Sequence, residues 1–379
     1  MHLCIDASNL RRGGGVTHLI ELLRHADPVA FGFDKVIVWG PRATLDQLEV
    51  RPWLEKRWSP VMERHFLLRA FWQRFSLGGL VQQEAPALLF VPGGSFSTAC
   101  RPIVTMSRNM LPFEPLEVRR YGWSLFRIKL ELLRWTQARS LRHASGRIFL
   151  TEYARSRIEK VAGPFGGMTA TIPHGVDQRF VMPARAPRSL SDCSEADPFR
   201  FVYVSTIDIY KYQPVVARAI ATLRSEGLPV ALDLVGGVYP PALGDLRRTL
   251  DLVDPKARFI RYLGQVPYQV LHETYERADA AIFASGCENM PNTLLEKMAA
   301  GLPTVCARRG PMPLMLGDAG LYFDPSSAPD LADVLRRLVA DDGLRASLAA
   351  LGHARAAQYS WPRCAAETFA FLGRVAAAP

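Results

Sequence analysis

A chain of 379 residues, 49% hydrophobic and 22% charged, can bury sizeable cores, and its length favours two domains over one. No run of eighteen or more uncharged apolar residues occurs and MHLCIDASNL starts on a strand pattern, so neither a membrane span nor a signal peptide is expected. The net charge of +10 calls for an anionic partner, while six scattered cysteines without a C-x-x-C pair fit reduced thiols in cytoplasm rather than a disulfide frame or zinc site.

Strand-type runs recur through the first half: HLCID (2–6), KVIVWG (35–40), ALLFVPG (87–93), RPIVTMS (101–107) and GRIFLT (146–151). Helical spacing between them predicts a doubly wound sheet. After the first run comes RRGGGVTHL (11–19), where consecutive glycines permit positive φ and close approach of backbone to a phosphate or sugar; a flexible turn is the alternative. The spacing is neither G-x-G-x-x-G nor a P-loop, so an NAD or NTP reading gains nothing from it.

Two segments, 51–75 and 118–147, interleave Arg with Trp, Phe and Leu at roughly helical spacing. Each reads as a basic amphipathic helix for an anionic membrane or ligand surface, or as an ordinary helix with an arginine-rich solvent face. No helix-turn-helix, zinc-finger or RNP-like pattern accompanies the charge, so nucleic acid is not the expected partner. HGVD (174–177) then places His174 where it could meet a ligand or be satisfied by its own turn. The Pro-, Ser- and charge-rich stretch 181–199 reads as a linker.

A second series follows: FRFVYVS (199–205), PVALDLVGG (229–237), RFIRYLG (258–264), AAIFAS (280–285) and PTVCA (303–307), with helices only after Asp324. The expected partition is 1–180, linker 181–199, 200–358, and a C-terminal helix 359–379 returning to the first domain. Lys211 falls in the loop after the first of these strands, and Gly236 ends the second. SGCENMPNTLLEKMAAGLPTVCA (285–307) reads strand, turn, helix, strand, with Asn289 as cap, Pro291 at the first helical position and Gly301 with Pro303 as the stop. In a parallel sheet such a turn opens at the carboxyl edge, where a helix N-terminus offers N–H groups to an anion. A cation, those N–H groups, and Glu288 and Glu296 as hydroxyl acceptors suit a nucleotide sugar. No D-x-D occurs, so no metal is expected.

With these motifs the chain resembles, over nearly its whole length, the retaining GT-B glycosyltransferases of family four, also called group 1. The resemblance rests on the E-x7-E motif Glu288 to Glu296, continued by Lys297-Met298-Ala299-Ala300-Gly301, and on Gly13 to Gly15, Pro173 to Asp177 and Ser360-Trp361. It implies an α/β fold of two Rossmann-like domains facing across a cleft. It also implies that Glu296 binds the donor ribose, Glu288 the hexose, Lys211 the diphosphate, and Asn292 and Thr293 N–H groups a phosphate, with Gly14, Gly15 and Gly236 at the donor site. Two departures stand out. Ser205 and Thr206 replace the family's Gly-Arg, leaving Arg11, Arg12 or Arg108 to supply a phosphate cation, and VTMSRNMLPF carries Asn109 where many members have a histidine.

The function so implied is a cytoplasmic, peripherally membrane-bound hexosyltransferase without cofactor. It moves a hexose or deoxyhexose from a UDP-, GDP- or dTDP-sugar to a hydroxyl of a lipid-linked glycan of a bacterial envelope polymer. The alternatives are a nucleotide-sugar epimerase of the same fold or a catalytically degenerate sugar-nucleotide or polyanion binder.

Overall fold

The computed structural model describes residues 1–11, 13–183 and 186–378, so Arg12 lies outside the described residues. The chain divides into two compact units: 1–118, 122–175 and 360–379 form the first, 119–121 and 176–359 the second.

The first unit holds β1 (His2–Asp6), β2 (Lys35–Trp39), β3 (Leu54–Arg57), β4 (Leu88–Val91), β5 (Ile103–Met106), β6 (Gly146–Phe149) and β7 (Met168–Thr171). They form one sheet in the order β3-β2-β1-β4-β5-β6-β7, every pair parallel. The second unit holds β8 (Phe199–Val204), β9 (Val230–Val235), β10 (Ile260–Tyr262), β11 (Ala280–Phe283), β12 (Thr304–Ala307) and β13 (Gly320–Phe323). Their order is β10-β9-β8-β11-β12-β13, again all parallel. Central strands such as β4, β5, β9, β11 and β12 are buried at every position, as strands covered on both faces must be.

Three strands escaped the sequence reading, and all three are sheet edges. β3 lies inside the basic segment expected to be helical; that segment instead runs strand, short 3-10 turn (Pro60–Glu63) and helix (Phe66–Phe75). Its residues Leu54 to Arg57 are half-buried and carry charge in place of apolar alternation: Glu55 pairs with Lys35 and Arg57, and Arg57 reaches Glu84 at 3.2 Å. Charged edges of this kind block pairing with another chain and hide the period-two signal.

Residues 181–199 belong to the second unit rather than standing apart as a linker. Their backbone is tied into it: Met182 N–H donates to the Ala299 carbonyl at 3.2 Å, and the Arg188 carbonyl accepts from the buried Arg345 at 2.9 Å. The helix Trp361–Ala376 belongs to the first unit, where Phe369 meets Phe33 edge-on, ring centroids 6.4 Å apart.

Candidate functional site: the carboxyl edge of the second sheet

Strands β8 and β11 are sheet neighbours although β9 and β10 separate them in the chain. The connections leave in opposite directions on their two sides, which makes the β8/β11 boundary a topological switch point and opens a crevice beyond their carboxyl ends. Two loops meet there. The one after β8 carries Ser205 to Tyr212 and ends in a single 3-10 turn, Ile209–Lys211, capped by the Asp208 carboxylate on the Ile209 N–H at 2.7 Å. The one after β11 runs to Pro291, and Gly286 N–H donates to the Tyr210 carbonyl at 2.7 Å, fastening loop to loop.

Across this fastening Lys211 forms an ion pair with Glu288. Both side chains are mostly buried, and the Lys211 ammonium also lies 4.9 Å from the Tyr210 ring centroid. The residue expected to hold a diphosphate and the residue expected to hold a hexose thus hold each other. A pair so enclosed is held together by charge in a medium of low dielectric, and a dianionic diphosphate is a strong competitor for its lysine.

The helix after the second loop spans Asn292–Ala299, with Pro291 as its N-cap residue. The expected cap, Asn289, lies three residues upstream of the helix, and the cap position belongs to Pro291. Asn292 and Thr293 are the first two residues of this helix, whose N–H groups have no carbonyl within the helix to donate to. Asn292 Oδ1 is buried and, among the described residues, has no hydrogen-bond partner. Leu294 to Ala299 are all buried, so this helix is also core.

Glu296 is among those buried residues and accepts from the Tyr275 hydroxyl at 2.8 Å. Burial raises its carboxyl from 4.5 to about 7, opposed by the Tyr275 hydrogen bond and the adjacent Lys297. Gly236, at the end of β9, has φ +147, and a Cβ there would lie 2.2 Å from the Ser205 carbonyl oxygen. Close approach of the loop after β8 therefore requires this glycine.

Six of the nine residues picked from the sequence, Lys211, Gly236, Glu288, Asn292, Thr293 and Glu296, thus lie in the second unit at strand ends or on the helix that follows. The other three are in the first. Gly13 is the N-cap residue of the helix Gly14–Arg24 with φ +73; the Gly14 carbonyl accepts from Arg108, and a Cβ on Gly15 would meet Leu10 at 3.0 Å. Arg108 is thus engaged with the glycine loop, while Arg11 pairs with Glu63 at 3.1 Å. Asn109 is exposed, and its Oδ1 accepts from Leu111 N–H at 3.0 Å, a local turn. His174 is buried with its ring 4.9 Å from His18 and 5.7 Å from Trp361, which places it in packing rather than at a rim.

Sequence reasoning missed Lys297 and Tyr275. Lys297 has no exposed surface, and burial lowers its ammonium from 10.5 to about 7. The available signal was its place in LLEKMAAG, where apolar residues flank Glu296-Lys297 on both sides.

Residues 198–341 match the family model described as Glycosyl transferases group 1. An O-antigen chain mannosyltransferase B of Escherichia coli is 36% identical over 110 residues, 29% of each chain. The chain spans about half or less of the length of the curated relatives it matches. Among solved structures, a sucrose-phosphate synthase from Thermosynechococcus elongatus superposes with TM-score 0.75 at 17% identity, covering 97% of both chains. Anabaena HepE in complex with UDP-glucose does so with TM-score 0.72 at 18% identity, covering 97% of this chain and 99% of that one. Residues 198–341, the stretch that holds both lysines and both glutamates, thus match the group 1 glycosyltransferases, on a chain with the GT-B fold of two Rossmann-like units.

Proposed function

We propose that the protein is a retaining, metal-independent hexosyltransferase of family four. It moves a hexose or deoxyhexose, mannose-like sugars included, from a nucleoside-diphosphate sugar to a hydroxyl of a lipid-linked glycan in bacterial envelope polysaccharide synthesis. The observation that carries this reading is the Lys211–Glu288 pair at the switch point, beside a helix N-terminus with an unsatisfied buried acceptor, Asn292 Oδ1. Diphosphate takes Lys211 and the N–H groups of Asn292 and Thr293; Glu288, released, accepts from hexose hydroxyls; Glu296 accepts from the ribose. The bond from the sugar anomeric carbon to the diphosphate oxygen breaks and one to the acceptor oxygen forms on the same face, the acceptor proton passing to the departing diphosphate. The names of the E. coli relative and of the HepE complex support a nucleotide-sugar donor and a surface-glycan product.

The test is thermal stability in the presence of UDP-, GDP-, dTDP- and ADP-sugars. One base at about a hundredfold excess over its Kd is expected to raise the melting temperature of the second unit by about 5 to 10 °C. No shift with any of them overturns the reading.

The same proposal places the protein in the cytoplasm, on the inner face of the membrane. The six cysteines form no disulfide, as in a reducing compartment, and among the described residues no helix is long and apolar enough to cross a bilayer. Support for peripheral binding comes from the helix Leu125–His143. It buries Leu130, Gln137 and Leu141 on one side, and at 100° per residue the opposite side is Leu125, Ile128, Leu132 and Trp135, each 59% exposed or more. Trp123, 98% exposed, precedes it with Arg127 stacked 5.0 Å from its ring. Between 123 and 143 five basic residues stand against Glu131 alone among acids, the charge pattern of an interfacial helix on anionic lipid. Wild type is expected to float with phosphatidylglycerol vesicles and to be released by salt; replacing Ile128 and Leu132 by Asp should abolish flotation without loss of fold. Binding indifferent to both salt and these substitutions counts against the membrane reading.

A further inference from the structure

The site holds two lysines and two glutamates, and only three of the four have a place in the scheme above. The fourth, Lys297, is fully buried. Its ammonium donates to the Val204 carbonyl at the end of β8 (3.3 Å) and lies 5.0 Å from the Phe283 ring centroid and 5.7 Å from that of Tyr203. The same Phe283 ring has the Lys211 ammonium 5.7 Å from its centroid, so both cations lie against one aromatic ring, Lys211 paired with Glu288 and Lys297 on the Val204 carbonyl. The charged and titratable groups that act on Lys297 are Glu296 on its own helix, Lys211 after β8, Glu288 after β11 and the Cys306 thiol on β12.

Lys211 and Glu288 offset each other's charge as a pair. When a diphosphate draws Lys211 away, Glu288 keeps its charge in a crevice that has just received a dianion. A carboxylate left so placed takes up a proton, and a protonated carboxyl gives up acceptor capacity for sugar hydroxyls. Resting on the donor reading above, we propose that Lys297 is a positioning residue, the buried counter-charge that keeps Glu288 ionised, and so able to hold the hexose, once Lys211 has turned to the diphosphate.

The role requires the charged ammonium, and burial brings its loss close to neutrality, to about 7. The informative quantity is the factor by which the sugar tightens binding: Kd of the diphosphate over Kd of the sugar nucleotide, from calorimetry with UDP and UDP-glucose and with GDP and GDP-mannose. Effects on base and ribose, Glu296 included, cancel in that ratio. In wild type the ratio is expected to hold as the pH falls below 7, because the ammonium carries its charge over the range in which a carboxylate takes up a proton. Lys297→Arg, whose guanidinium stays charged, should hold it flat. Lys297→Met, close in volume and apolar in an apolar pocket, should keep the fold, approach the wild-type ratio at high pH, and lose it relative to wild type by up to about tenfold per pH unit as the pH falls. A loss of packing alone would weaken both variants without altering either pH profile, and that result overturns the proposal, as does a Met variant with the wild-type ratio and profile. Wild type that binds none of the four ligands sinks the donor reading, and Lys297 with it; wild-type discrimination that survives Lys297→Met sinks Lys297 alone.

Discussion

Glu288→Gln is expected to lower the rate of diphosphate release from the matched sugar nucleotide by about a hundredfold or more, the scale on which loss of one charged group aimed at the reacting sugar is felt. The amide keeps an oxygen for the Lys211 ammonium, so the two loops should stay fastened through it and through Gly286 and Tyr210. What it loses is the negative charge that is set against Lys211 and that, under the proposed function, would meet the hexose hydroxyls. Lys211→Met attacks the same exchange from the other side. Because one donor must engage both partners, the two changes should be strongly non-additive: the double variant should be little slower than the slower single one. Transfer within tenfold of wild type in Glu288→Gln would mean that the pair is a structural clamp and the hexose is held elsewhere.

Glu296→Gln is expected to stabilise the folded protein at pH 8 while weakening every nucleotide. The Glu296 carboxyl titrates at 4.5 when unfolded and at about 7 in the buried site. The folded state therefore holds the proton more tightly; the stability this lends is present in full below pH 4.5 and is gone once the pH has risen past 7. At about 1.4 kcal/mol per pH unit of displacement, keeping the carboxylate buried at pH 8 costs on the order of 3 kcal/mol. Glutamine avoids that cost and still accepts from the Tyr275 hydroxyl. Melting curves should show the variant ahead of wild type at pH 8 and level with it near pH 4. Equal stability at both would show that Tyr275 and Lys297 already compensate the charge, and a destabilised variant at pH 8 would show that the site is built around it.

Much of this was legible in the sequence because the second unit obeys simple rules. β8, β9, β11 and β12 are short apolar runs, and the helix after β11 is announced by Pro291 and closed by Gly301, whose φ is +64. Position at a carboxyl edge then follows from parallel pairing alone. Pairing between charges did not follow: that Lys211 closes on Glu288 depends on β8 and β11 being neighbours, a fact of strand order that no local pattern encodes. Asn289 was misplaced because a cap preference is satisfied equally well on paper two or three residues away. β3, β7 and β13 were invisible because edge strands need no buried face on both sides. Lys297 was passed over because lysines are ordinarily solvent-facing, and only packing reveals this one to have no exposed surface.

The helix Trp361–Ala376 has a consequence for how the protein is made. It completes the first unit, burying Phe369, Phe371 and Val375, yet the ribosome reaches it only after the whole of 176–359 has been synthesised. The unit begun first is thus the one finished last: its strands β1 to β7 wait, with an apolar face uncovered, while the second unit can already close the 77-residue span from Lys211 to Glu288. A nascent chain halted just after Tyr359 would carry the whole second unit and an incomplete first one, and the hazard of aggregation during synthesis falls on the unit that carries the exposed aromatic helix.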